Sequence, residues 1–64
     1  MKHHYTVQAI MRHWSQDFLC PMGAVCEKEE LPAVLKHKGV KSYKIKSVDE
    51  EFFADWEKSD WIQT

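Results

Sequence analysis

The supply of large apolar side chains is the main constraint on this chain, because its 64 residues can bury only a small core. A chain of this size buries roughly 60% of its unfolded surface, so each large apolar residue counts towards stability. Three Trp, three Phe and two Tyr residues are present, and 44% of the chain is hydrophobic. This supply predicts a single folded domain over residues 1–64 rather than a disordered peptide. A deep catalytic cleft would need the same side chains, so we do not expect an enzyme.

Two cysteines, Cys20 and Cys26, are too few for the disulfide framework of a small secreted protein. No apolar stretch approaches the ~20 residues that span a bilayer, and no charged start with an apolar run indicates a signal peptide. These features predict a reduced, cytoplasmic protein with no membrane contact.

Four residues could supply ligands to zinc: His13, Cys20, Cys26 and His37. The two cysteines are separated by five residues, whereas a zinc knuckle typically uses about two to four, and the histidines are unpaired. The sequence therefore predicts no metal and no cofactor.

The net charge of −1 conceals a strong segregation of charge along the chain. Residues 31–48 contain five lysines and no acid, whereas residues 49–60 contain six acids and one lysine. Local charge sets the field that a phosphate backbone meets within a Debye length of roughly 8 Å. The basic middle segment is therefore the predicted nucleic-acid surface. The alternative is that its lysines only solvate an exposed sheet edge.

Apolar spacing predicts two helices in the first half of the chain. The first runs from Thr6 to Trp14, with Thr6 as its N-cap and an apolar stripe at spacings of three and four formed by Val7, Ile10, Met11 and Trp14. The second runs from Pro21, which suits a first helical turn, to Glu29, and it ends before Pro32.

The second half predicts a hairpin followed by a third helix. Strands over Ala33–Lys38 and Lys41–Ser47 would meet at Gly39, and in the second strand Tyr43 and Ile45 alternate with lysines. Ser47 and Glu50 then have the spacing of a capping box, and the helix that follows would bury Phe52, Phe53 and Trp56.

Three segments resemble the excisionase and MerR-like winged-helix domains: Glu30-Leu31-Pro32-Ala33-Val34, Gly39 to Lys46, and Ser47 to Phe53. In that family a Leu-Pro-Ala step leaves the recognition helix and enters the wing. The segment from Tyr5 to Ile10 looks like the family's opening helix, so the resemblance covers roughly residues 5–57. It implies an α+β fold, a small winged helix-turn-helix in the order helix, helix, hairpin, helix.

The resemblance implies a non-catalytic accessory protein of mobile-element or phage type, which binds double-stranded DNA in recombination or transcription regulation and can self-associate on it. Its wing lysines would contact the DNA backbone. The alternative for His37 is an inert surface residue, and the alternative for Arg12 is a plain surface charge. The candidate DNA-binding residues are Arg12, Lys28, Lys36, His37, Lys38, Lys41, Lys44 and Lys46.

The composition of the predicted recognition helix favours a second hypothesis, a protein-binding module. Cys20, Pro21, Gly23, Ala24 and Glu27 fall where base-reading side chains would be needed, and none can make a bidentate base contact. A protein partner could then use helix two, or Trp61 as an anchor, since Trp is a frequent interface hot spot. The alternative for Trp61 is packing against the core.

Overall fold

The computed structural model describes the backbone of all 64 residues and every side chain except that of His13. In this backbone five antiparallel strands form one sheet, and one short α-helix packs on one of its faces. Short 3-10 turns lie at Lys28–Glu30 and Trp56–Lys58. The elements are β1 (His3–His13), β2 (Gln16–Cys26), α1 (Leu31–His37), β3 (Val40–Val48), β4 (Glu51–Phe52) and β5 (Ile62–Gln63).

The first strand is the middle of the sheet. β2 folds back beside it as a hairpin, and β3 pairs with its other edge. The two short strands share the outer side of β3, with β4 at its end and β5 near its start. The pairing of β1 with β3 shifts register at two points, between Thr6 and Val7 and between Ile10 and Met11.

The core lies between α1 and the sheet face that it covers. Tyr5, Val7 and Ala9 alternate along β1 and are all buried. Leu31 and Leu35 from α1 pack against them. The remaining buried apolar residues come from β2 and β3, and they are Ala24, Cys26, Val40 and Tyr43. The helix α1 does not cover the opposite face, where Lys44 and Lys46 of β3 contact the segment of the second 3-10 turn.

The predicted helix over Thr6–Trp14 is wrong, because these residues belong to β1 and the turn that follows. Burial alternates with a period of two, with Val7 and Ala9 buried and Gln8 between them partly exposed. Ile10 lies on the uncovered face, opposite Leu19. Ile10, on the face that α1 does not cover, supplies spacings of three from Val7 and four to Trp14, and these spacings predict a helix.

The predicted second helix, Pro21–Glu29, is also wrong. Residues up to Cys26 form the end of β2, and a 3-10 turn follows. The predicted strand over Ala33–Lys38 is instead the helix α1, with Pro32 in its first turn, where a missing N–H costs nothing. Gly39 ends that helix with φ +91° instead of turning a hairpin.

The third helix predicted from Ser47 is absent from the described backbone. Ser47 pairs with Thr6 inside the sheet, Asp49 and Glu50 form a two-residue turn, and β4 follows. The strand predicted over Lys41–Ser47 is confirmed as part of β3, but its partner is β1. The winged helix-turn-helix fold, including the fold implied by the family resemblance, is therefore wrong.

Within the described residues, neither the length nor the apolar content of any helix is sufficient to span a membrane.

Candidate functional site

The β1–β2 hairpin is the longest feature of the molecule. Its strands pair without interruption from His3 and Cys26 to His13 and Gln16. Eleven strand residues span ~37 Å, which matches the longest dimension of the protein, 36 Å. The helix α1 packs against the end of β2 that holds Ala24 and Cys26. We call residues 10–19, at the opposite end, the hairpin tip.

Trp14 occupies the turn of the hairpin tip in an unusual way. Its backbone has φ +45°, in the left-handed region that disfavours bulky residues, and its side chain is 94% exposed. A positive φ at the first central residue of a two-residue turn is typical of glycine in type II′ turns. Trp14 therefore adds backbone strain and contributes no burial to the core.

A shallow apolar groove adjoins this turn. Ile10 and Leu19 lie directly opposite each other on the face that α1 does not cover, and Leu19 is 63% exposed. Together with Phe18 and Asp17 they line a cavity of about 230 Å³. The tip carries two formal charges, on Arg12 and Asp17, which also face each other across the hairpin.

The free edge of β2 is obstructed in its middle. Lys38 Nζ donates to the carbonyl oxygen of Gly23 at 3.3 Å, so this oxygen points away from β1. Backbone groups alternate in direction along a strand, so the nitrogen of Pro21, two residues earlier, also points outwards. Since proline has no N–H to donate, another strand cannot pair continuously along this edge.

Three of the predicted DNA-binding lysines on β3 already have partners within the protein. Lys41 Nζ forms an ion pair with Asp17 Oδ2 at 2.9 Å. Lys44 Nζ donates to the carbonyl oxygen of Glu57 at 2.8 Å and lies 4.8 Å from the ring centroid of Trp61. Lys46 Nζ lies 5.1 Å from the ring centroid of Trp56.

The other predicted DNA-binding residues lie on different elements. Lys36, His37 and Lys38 are at the end of α1, Lys28 is in the first 3-10 turn, and Arg12 is in the hairpin tip. The predicted hairpin of Ala33–Lys38 and Lys41–Ser47, which contains the five lysines, does not form, because its first half is helical. The structure nevertheless places Arg12, Lys36 and Lys41 around one cleft.

Strand geometry separates the two cysteines among the candidate zinc ligands. Six residues of extended strand place Cys20 and Cys26 ~20 Å apart, too far for a shared zinc ion or a disulfide. Both are free thiols, and burial, followed by the nearby carboxylates of Glu30 and Glu27, raises the pKa of Cys26. The side chain of the other candidate ligand, His13, lies outside the described residues.

Three further residues, Asp49, Tyr5 and Tyr43, have perturbed titration for structural reasons. Asp49 accepts hydrogen bonds from the backbone N–H of His4 and from the ring of His3, and these bonds lower the pKa of its carboxyl. Burial raises the pKa of Tyr5 and of Tyr43, which both lie in the core. These groups hold the fold together.

Comparison with protein-family models, curated proteins and solved structures finds no match to this chain.

Sequence reasoning missed Trp14 and Leu19 as exposed surface residues. The available signal was the short polar break after Trp14, since Ser15 lies between two segments that both alternate. Interpreted as a hairpin turn, this break would have put Trp14 at an exposed tip. The helical interpretation put Trp14 in the core instead.

Proposed function

We propose that this chain is a non-catalytic protein-binding module whose hairpin tip inserts into an apolar pocket of a different protein. The observation that carries this proposal is Trp14, a large aromatic side chain that is fully presented to solvent on a strained turn. Strain in a turn persists where the surrounding structure imposes it, and such positions cluster at binding sites.

The chemistry of the tip supports a protein partner. Trp is among the residues that contribute most to protein interfaces, where it fills a desolvated pocket. Ile10 and Leu19 extend the apolar surface next to it, on the uncovered sheet face. Around Trp14, Ile10 and Leu19 the surface is apolar, which suits a desolvated protein pocket.

A second copy of the chain is a less suitable occupant than another protein. The simplest self-association of a sheet is pairing of its free edge. In β2 that pairing is interrupted at Pro21, and Lys38 occupies the Gly23 carbonyl oxygen. Light scattering on the purified protein should therefore show a monomer, and a dimer that Trp14→Ala converts to monomer would contradict the proposal.

The direct test compares tagged variants in a lysate of the source organism. We expect a partner protein to be retained by the unmodified chain and lost with Trp14→Ala and with Leu19→Ser. Phe52→Ala is the matched control, because Phe52 is 62% exposed at the far end of the sheet. The retained protein is then purified and its Kd is measured by calorimetry.

If Trp14 is a hot-spot residue, Trp14→Ala should raise the Kd for the partner protein about 30-fold or more, which corresponds to about 2 kcal/mol. Equal binding by all variants would exclude the hairpin tip as the binding element.

Binding of double-stranded DNA is the second candidate function. One observation favours it: Lys36, His37 and Lys38 are adjacent at the end of α1 and all are exposed. Phosphate contacts of this kind give an affinity that falls steeply with salt.

A mobility-shift series at two salt concentrations tests DNA binding, with Lys36, Lys38, Lys41 and Lys44 replaced together by Ala. Retardation should be lost in this variant and kept in Trp14→Ala, and no retardation at low salt would exclude DNA.

A further inference from the structure

A cleft of about 550 Å³ lies where four elements meet, at the end of α1, the far end of β1, the start of β3 and the strand β5. Gly39 creates the space by turning the chain sharply from the helix into β3. The residues 63 and 64 close the other side, since β5 pairs with Ser42 and Tyr43. We call this space the Arg12 cleft, lined by Arg12, Lys36, Lys41, Gln63 and Thr64 as well as the backbone around Gly39.

Three positive charges converge on the Arg12 cleft from three elements. Lys41 is paired with Asp17 at 2.9 Å. Among the described residues, no hydrogen bond or ion pair engages the guanidinium of Arg12 or the ammonium of Lys36. Asp17 is the carboxylate paired here, so the three cations carry an excess of positive charge, and the repulsion between like charges would be relieved by an anionic ligand.

The carbonyl oxygens at the Arg12 cleft are already engaged within the protein. The Gly39 oxygen accepts the backbone N–H of Arg12 at 3.4 Å. The hydroxyl of Thr64 donates to the Val40 oxygen at 2.8 Å, and it lies 3.2 Å from the Lys41 oxygen. These acceptor groups, which would repel an anion, are therefore satisfied, while Arg12 and Lys36 have no ion-pair partner among the described residues.

We propose that the Arg12 cleft binds a phosphate group. Arg presents a planar fork that matches phosphate oxygens in a bidentate arrangement, and Lys adds a compact charge. A volume of about 550 Å³ falls within the range of small-molecule sites. The phosphate can belong to a small phosphorylated molecule or to a polynucleotide backbone, because both offer the same oxygens.

This inference does not depend on the hairpin tip as a protein-binding element. Trp14→Ala removes no residue of the Arg12 cleft, so it should leave phosphate binding unchanged. The two proposals therefore fail separately.

The test is a titration of the isotope-labelled protein with inorganic pyrophosphate, followed by amide chemical shifts at constant ionic strength. We expect saturable shifts around Arg12, residues 39–41 and Thr64. Arg12→Met and Lys36→Met keep the side-chain length and remove the charge, and each should weaken binding roughly 10-fold. Both residues are exposed, so the variants should fold, which circular dichroism checks.

Two further variants sharpen the result. Lys28→Met is the matched control, because it removes the same charge from an exposed residue outside the Arg12 cleft, and it should change affinity less than about twofold. Asp17→Asn removes the carboxylate that competes for Lys41, so it should strengthen binding.

A parallel titration with a short DNA duplex distinguishes the sources of phosphate. Saturation by pyrophosphate alone assigns the Arg12 cleft to small ligands, and saturation by the duplex alone assigns it to a polynucleotide backbone. Saturation by either probe supports phosphate binding only when Arg12→Met and Lys36→Met weaken the binding of that probe. The proposal is overturned if neither probe saturates, or if Lys28→Met weakens binding as much as the cleft variants.

Discussion

The Oδ2 atom of Asp49 lies 2.7 Å from Nδ1 of His3, so the turn after β3 is fixed to the first residue of β1. The same carboxylate accepts the backbone N–H of His4 at 2.9 Å. These contacts favour the charged carboxylate and hold its pKa below the ordinary value of 3.8.

Stability should therefore depend on pH through Asp49. Because the folded pKa is lower than the unfolded one, the stabilisation is present above the unfolded pKa and is lost as pH falls through the folded pKa. Asp49→Asn should lower Tm at neutral pH, and the difference from the unmodified protein should shrink below about pH 3.8. Thermal unfolding at a series of pH values measures this. A difference that stays constant in acid would contradict it.

Replacing Trp14 by Gly should stabilise the fold. Glycine accepts φ +45° without the steric cost of about 1–2 kcal/mol, although it adds some entropy to the unfolded chain. We expect a net gain of up to about 1 kcal/mol, read as a higher Tm. Trp14→Ala removes the same ring but keeps the strain, so its Tm should change little. A loss of stability with Gly would mean that the exposed ring contributes to folding after all.

Gly39→Ala should destabilise the protein by about 1–2 kcal/mol, because φ +91° is unfavourable for any side chain. Space is not the cause, since a Cβ at this position would lie 3.6 Å from the Met11 side chain, an ordinary contact. Gly23→Ala is the control, at a strand position with no positive φ and contacts of 3.5 Å or more. Urea unfolding of both variants compares them, and equal effects would exclude the conformational explanation.

Leu35→Ala should cost about 2–5 kcal/mol, because Leu35 is fully buried between α1 and the sheet. In so small a domain this is a large part of the total stability. Leu19→Ala removes the same atoms from an exposed position and should change stability by less than about 0.5 kcal/mol. Denaturant midpoints measure both, and a small effect at Leu35 would show that α1 is not part of the cooperative core.

The two prolines show why sequence patterns alone gave the wrong fold. The sequence pattern predicts a helix that begins at Pro21 and ends before Pro32. In the structure Pro32 is in the first turn of α1 and Pro21 is in an edge strand. Proline fits both places for the same reason, namely that its missing N–H has no partner to lose. For Pro21, only the pairing with Gln8 of β1, 13 residues earlier in the chain, shows that it lies in a strand and not in a helix.

Local patterns were reliable where one face of a strand is buried and the other is not. The alternation of Tyr43 with Lys44 predicted β3, and Tyr43 is indeed buried. In β1 the alternation of Tyr5, Val7 and Ala9 was equally regular, but Ile10 on the uncovered face imitated a helical stripe. The Arg12 cleft joins residues 12, 36, 41 and 64, and only the pairing of distant strands brings these together.

The central place of β1 in the sheet has a consequence for synthesis on the ribosome. This strand is made before both of its neighbours, and the second of them, β3, begins only at Val40. Until then the nascent hairpin can form, but its inner face is not covered by α1 and the second edge of β1 has no partner strand. Non-local strand pairing is slow to form and leaves apolar surface open meanwhile. The growing chain is therefore most in need of chaperone protection between the completion of β2 and the release of β3.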